Sequence, residues 1–163
     1  MTKIGLLSDT HNYLDPAIFK HFAKCDEIWH AGDLGTVEIS DILKKFKPLR
    51  AVYGNIDGYD VRKAHTEDQR FYCEKVDVWI RHIGGYPGRY SWEVRQDIKK
   101  NPPKLFICGH SHILKVIYDK KLNLLYINPG AAGRFGLHNI RTVVRFIIDE
   151  KDIKKLEVIE LGN

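Results

Sequence analysis

Asp9-Thr10-His11, Gly32-Asp33, Gly54-Asn55, His82, Gly109-His110-Ser111-His112 and Asn128-Pro129-Gly130 follow one another along the chain and supply oxygen and imidazole donors. Mn²⁺, Fe²⁺, Ni²⁺ and Zn²⁺ accept such a set, and no cysteine belongs to it. Residues two apart in an extended segment point the same way, so Asp9 and His11 can reach one ion, and His110 and His112 share their spacing. Gly32, Gly54 and Gly109 each stand directly before a candidate donor, where a missing Cβ permits a sharp turn and a close approach. Taken singly, most of these residues read as turn or cap residues; Asn55 in Gly54-Asn55-Ile56-Asp57-Gly58 would be a plain turn. In this order they suggest a dismantled two-metal site, and its chemistry is phosphoester hydrolysis.

The elements that must position these donors can be read from apolar periodicity. Lys3 to Leu7, Glu27 to Ala31 and Leu49 to Tyr53 are short apolar runs with the pattern of strands, and each is followed by a donor. Helical periodicity lies between them, over Pro16 to Ala23 with Asp15 as N-cap and over Thr36 to Phe46 with Thr36 as cap. This β-α-β-α-β order predicts parallel strands with right-handed crossovers and a ligand site beyond the strand C-termini. Further on, strands are expected at Phe71 to Cys73, Val76 to His82 and Leu105 to Cys108, with a helix from Ser91 to Lys99 begun by Ser91. Val116 to Tyr118, Leu122 to Asn128, Thr142 to Ile148 and Lys154 to Glu160, separated by turns such as Asp119-Lys120-Lys121, predict antiparallel strands. A mixed β-sandwich flanked by helices holds all of these.

With 163 residues, one domain over 1–163 is expected, and a domain of that size removes roughly 70% of the unfolded surface on folding. Hydrophobic residues at 44% and charged ones at 29%, without low-complexity runs, argue against disorder. Ile4-Gly5-Leu6-Leu7 is too short for a signal-peptide core, and no run approaches the ~18 apolar residues of a membrane span. Cys25, Cys73 and Cys108 have no metal or redox spacing, so a cytoplasmic location and chemically silent thiols are expected. The net charge of +5 is spread over Lys44-Lys45-Phe46-Lys47, Lys99-Lys100, Lys120-Lys121 and the segment 151–155, at element ends and among acids. That distribution argues against nucleic acid as the main partner.

The ordered motifs resemble those of the calcineurin-like metallophosphoesterases, in particular the small single-domain phosphodiesterases of bacteria and archaea. The likeness runs through Ser8-Asp9-Thr10-His11, His30-Ala31-Gly32-Asp33, Tyr53-Gly54-Asn55-Ile56-Asp57, Gly109-His110-Ser111-His112 and Ile127-Asn128-Pro129-Gly130. It implies an α/β fold, a four-layer α/β/β/α sandwich of two mixed sheets flanked by helices. It also implies two divalent ions per chain, Mn²⁺ first among the candidates. Asp9, His11, Asp33 and His112 would hold one ion, and Asp33, Asn55, His82 and His110 the other, with Asp33 bridging. A hydroxide shared by the ions would attack phosphorus in line, so Asp33, Asn55 and His110 would act catalytically through it. Asn55 and Arg134 would contact a small phosphoester substrate, a diester in preference to a monoester.

Two positions depart from the family pattern. Ile56 stands where many members carry a histidine able to protonate the leaving group, which makes Asp57 the nearest ionisable residue, with hydrogen bonding inside the turn as its simpler role. Ile83 follows His82 where a glycine is usual and could shift that imidazole. His30 is expected to hydrogen-bond a neighbouring strand or a ligand. The Tyr86-Pro87-Gly88-Arg89-Tyr90 loop reads as core or rim, or as a selector of the substrate's organic group. A protein-interaction scaffold like the superfamily's retromer subunit is the alternative to catalysis, a nuclease the second alternative, and a homodimer the expected assembly.

Overall fold

Along β1 (Thr2–Leu7), Ile4 and Leu6 enter one apolar core and Leu7 another, as the two-residue period of an extended chain requires. All three are fully buried, so the strand is covered on both faces. A computed structural model, which describes residues 1–163, shows what covers it. The chain continues through α1 (Ala17–His21), β2 (Glu27–His30), α2 (Val37–Phe46), β3 (Leu49–Ala51), α3 (Tyr59–Ala64), β4 (Asp68–Cys73) and β5 (Val76–Arg81). It then forms the hairpin β6 (Gly85–Tyr86) and β7 (Arg89–Tyr90), α4 (Trp92–Lys100), β8 (Leu105–Ile107), β9 (Leu114–Asp119), β10 (Leu124–Pro129), β11 (Arg141–Asp149) and β12 (Asp152–Gly162).

Two five-stranded sheets result, in the orders β12-β11-β1-β2-β3 and β4-β5-β8-β10-β9. Both are mixed. β1, β2 and β3 run parallel, as do β5, β8 and β10; antiparallel strands extend the first set beyond β1 and the second on both sides. Between the sheets, Ile4, Leu6 and Trp29 pack with Val78, Ile80 and Ile107. Outside the first sheet, Ile28 and Val143 meet Ile18 and Phe22 near α1, Leu43 of α2 and Val61 of α3. Outside the second, Trp79 and Phe106 meet Val94 and Ile98 of α4. This is the four-layer α/β/β/α sandwich that the motif resemblance implied. Gly5 is a glycine because the Phe22 ring lies 2.7 Å from where its Cβ would stand.

Local expectations fare unevenly. Asp15 caps as expected, its Oδ1 accepting the Ala17 N–H at 2.9 Å. Thr36 does not cap α2, because its hydroxyl donates instead to Asn12 Oδ1 at 2.6 Å. Ser91 precedes α4 with a buried hydroxyl that has no partner, and only its backbone carbonyl receives the helix N–H groups. α3 and the β6–β7 hairpin were not expected from periodicity.

β10 corrects the antiparallel reading on one side. It pairs antiparallel with β9 through a turn fastened by Asp119 Oδ1, and parallel with β8. The cause is burial: β10 is almost wholly covered and takes the inner position, which leaves the exposed β9 at the sheet edge. The three cysteines are buried free thiols; burial raises each of them, Cys73 to about 11, so they stay protonated. No helix is long and apolar enough to cross a membrane.

Candidate metal centre

Because β1, β2 and β3 run parallel, their C-terminal ends share one edge of the sandwich, followed there by Asp9, Asp33 and Asn55. β5 and β8 of the facing sheet deliver His82 and then His110 and His112 to the same edge. Five of these residues adopt left-handed backbone conformations: Asp9 (φ 54°), His11 (45°), Asp33 (56°), His110 (71°) and His112 (62°). For side chains with a Cβ each such angle costs on the order of 1 kcal/mol, and concentrated strain of this kind marks functional sites. Long-range bonds hold it in place, among them Asp9 N–H to the Gly32 carbonyl (2.9 Å) and His11 N–H to the Asp33 carbonyl (3.1 Å).

Each carboxylate has one anchored oxygen and one turned inward. Asp9 Oδ2 accepts the Ser8 hydroxyl (2.6 Å) and the His110 N–H (3.1 Å), while Oδ1 lies 3.1 Å from His112 Nε2 and 3.7 Å from His11 Nε2. Asp33 Oδ1 accepts the Ile56 N–H (3.0 Å), and its Oδ2 lies 3.1 Å from His82 Nε2 and 3.5 Å from His11 Nε2. Asn55 Oδ1 lies between two imidazoles, 3.1 Å from His82 Nε2 and 2.9 Å from His110 Nδ1. Two triads emerge, Asp9-His11-His112 and Asp33-His82-His110, the donor atoms of each within 4.8 Å of one another. Asn55 joins the second, and Asp33 Oδ2 reaches from the second toward His11 of the first.

The donors suit a cation. His82 Nδ1–H donates to the Ala31 carbonyl at 2.7 Å, so in the neutral ring the Nε2 lone pair faces two oxygens with no proton between them. Asp9 Oδ1 and His11 Nε2 are buried without a hydrogen-bond partner. Buried lone pairs that face one another are costly unless positive charge sits among them. The electrostatics of the site point the same way. Burial alone would raise Asp9, yet His11, His112 and Ser8 hold it well below the usual carboxylate range. Asp9 raises His11, and Asp33 raises His82 in spite of burial, whereas burial lowers His110.

Neighbouring residues fall into supporting places. Asp57 is buried and accepts the N–H groups of Gly54 (2.8 Å), Gly35 (2.9 Å) and Leu34 (3.1 Å), so it fastens the Asn55 loop to the Asp33 loop and faces no substrate. Ile56 is 45% exposed beside it. Ile83 leaves the His82 imidazole against Asp33 and Asn55. Fully buried His30 accepts the Gly32 N–H at Nδ1 (3.1 Å) and meets Thr10 Oγ1 with Nε2 (3.0 Å); burial lowers it to about 3, so it is neutral. Asn128 braces the His110 loop through Gly109 O (2.9 Å) and Ser111 Oγ (3.1 Å). Arg134 lies over Tyr13 at 4.0 Å and donates to its hydroxyl at 2.9 Å. Tyr86 is partly exposed and Tyr90 is buried against Asp119, which gives the aromatic loop one rim and one core residue.

Two neighbours escaped the sequence reading: Phe135, stacked on His11 at 5.1 Å, and His138, edge-on to His112 at 5.1 Å. Neither has a spacing signal, since only the loop that returns before β11 brings them here.

Gly32, Gly54 and Gly109 do permit close approach: an added Cβ would strike the His82 ring, Asp33 and Ser8, respectively. For Gly54→Ala we expect Asp33 to be displaced. Metal affinity should fall roughly 10- to 100-fold, as for other changes that misplace a ligand. Calorimetric Mn²⁺ titration, with circular dichroism to confirm an intact fold, measures this; unchanged affinity would show that Asp33 is free to move.

The sequence profile of the calcineurin-like phosphoesterase superfamily domain matches residues 2–151. The probable metallophosphoesterase MJ0623 of Methanocaldococcus jannaschii is 30% identical over 165 residues, covering 96% of this chain and 81% of its own length. Phosphodiesterase MJ0936 of the same organism is 26% identical, covering 94% and 98%. Among solved structures, a Vps29 variant from Entamoeba histolytica superposes with a TM-score of 0.74 at 16% identity, covering 98% of this chain and 99% of its own. An archaeal phosphodiesterase does so with a TM-score of 0.73 at 21% identity, again covering 98% and 99%.

Proposed function

The chain belongs to the calcineurin-like phosphoesterase superfamily, and we propose that it is a metal-dependent phosphodiesterase acting through the Asp33-centred cluster as one domain. The observation that carries this reading is the convergence of seven donors into two adjoining groups with Asp33 between them, and with buried lone pairs left unpaired. Asp9, His11, Asp33 and His112 would hold one divalent ion, and Asp33, Asn55, His82 and His110 the other. Two such ions supply Lewis-acid charge for phosphate oxygens and lower the pKa of water toward neutrality; Mn²⁺ is our first candidate.

The protein's own part is positional. Ser8 and the His110 N–H hold Asp9, the Ile56 N–H holds Asp33, and the Ala31 carbonyl fixes the His82 tautomer, so the donors need little reorganisation when loaded. With Asp57 engaged by three backbone N–H groups and Ile56 unable to give a proton, neither protonates the leaving alcohol. This favours esters of acidic alcohols. Buried, protonated thiols support a reducing cytoplasm as the place of action.

The test combines metal analysis with hydrolysis of bis-p-nitrophenyl phosphate and p-nitrophenyl phosphate. We expect about two ions per chain, loss of turnover on chelation, recovery with Mn²⁺, and faster diester than monoester hydrolysis. Bound metal without turnover would instead support the interaction scaffold that the likeness to Vps29 brings to mind, and salt-dependent competition by a polyanionic strand would support a nuclease.

A further inference from the structure

Two separate cavities adjoin the donor cluster, and their linings are chemically unlike. One, of about 310 Å³, touches Asn55 and His82 and is walled by Tyr53, Arg62, Glu67, Arg81 and Glu93. The other, of about 500 Å³, touches His110 and His112 and is walled by Ile113, Gly136, Leu137 and His138. The two share no lining residue, so a phosphoryl group at the cluster could send one substituent into each. A phosphomonoester has only one substituent to send.

The first cavity balances two guanidiniums against two carboxylates. Arg62 is turned toward backbone by its bonds to the Asp57, Gly54 and Asn55 carbonyls, and Arg81 by the Ile83 carbonyl and by Glu67 at 2.8 Å. Donors and acceptors near neutrality suit an uncharged group that both gives and takes hydrogen bonds, which is a polyol. A phosphate or carboxylate substituent would find both guanidiniums already engaged and would meet Glu93, and is disfavoured. The second cavity exposes Ile113 (61%) and Leu137 (101%), and Phe135 (68% exposed) stands close by on His11. Apolar side chains left this open beside a site are suited to cover an apolar or aromatic group.

Building on the proposed phosphodiesterase, we propose that the substrate is an unsymmetrical phosphodiester, with a polyol in the Arg62–Glu93 cavity and an apolar alcohol in the Ile113–Leu137 cavity. Water would form the new P–O bond, the P–O bond to the apolar alcohol would break, and that alcohol would leave with a proton. Polyol phosphate would remain.

The experiment compares Mn²⁺-loaded protein on glyceryl p-nitrophenyl phosphate and methyl p-nitrophenyl phosphate, with Glu93→Ala and Leu137→Asp as variants. Calorimetric binding of the slowly hydrolysed phosphorothioate analogues serves as a second readout. We expect the glyceryl diester to exceed the methyl diester roughly tenfold in kcat/KM and in affinity, Glu93→Ala to lower the glyceryl diester until that advantage is gone, and Leu137→Asp to weaken both about equally. Equal handling of the two diesters by the unaltered protein, or an advantage that survives Glu93→Ala, would overturn the assignment of arms while leaving the phosphodiesterase standing. Turnover of neither diester would overturn both.

Discussion

Replacing Asp33 by alanine is expected to lower kcat/KM for bis-p-nitrophenyl phosphate by at least roughly 10³-fold, which is about 4 kcal/mol of barrier. Asp33 reaches both groups more closely than Asp9, whose Oδ1 lies 3.9 Å from His82 Nε2: the Asp33 Oδ2 lies 3.1 Å from His82 Nε2 and 3.5 Å from His11 Nε2. Its loss removes one of the two negative charges of the donor set and the link that holds two cations at a fixed separation. The Ile56 N–H would also lose its acceptor, loosening the Asn55 loop. Because Asp33 has a φ of 56°, alanine adds backbone strain, whereas asparagine tolerates that region. Asp33→Asn therefore separates charge from folding and should lose nearly as much activity while unfolding near the parent's denaturant midpoint. Metal analysis of both variants should show fewer ions per chain. Full turnover with undiminished metal would remove Asp33 from the centre.

Trp29→Ala is expected to destabilise the protein by about 3–5 kcal/mol, the usual cost of deleting a buried large aromatic. The ring is fully buried between the sheets, edge-on to Phe146 of β11 (5.2 Å from Phe71 of β4 and 5.8 Å from Phe146), so it touches both layers. Its Nε1–H donates to Glu27 Oε2 at 2.8 Å, and that acceptor would keep only Arg50 Nε at 3.5 Å. Since β2 leads through Ala31 to Asp33, the same variant should bind Mn²⁺ less tightly as the strand end loosens. Urea unfolding gives the first number and calorimetry the second. A loss under about 1 kcal/mol would mean that the sheets close over the vacancy.

The strands preceding Asp9, Asp33 and Asn55 were legible because a short apolar run ending in a small or polar residue has few other fates, and parallel order then follows from the helices between them. Asp15 was legible as a cap because its partner lies two residues away. Thr36 was misread because its partner, Asn12, lies on another loop, and Ser91 because burial took its hydroxyl out of reach of the helix. β10 was half right: its hairpin with β9 is local, while its parallel pairing with β8 depends on which strand buries more apolar surface.

By itself the sequence determined which donor types the chain carries, their order, and the strand ends that present them, since these follow from local period and turn chemistry. Only the tertiary structure decided that the donors divide into two triads with Asp33 reaching between them, that Asp57 is a fastener, and that Phe135 and His138 stand against His11 and His112. Those relations join residues far apart in the chain. Their geometry comes from the packing of two sheets on a shared core, and no short-range pattern encodes it.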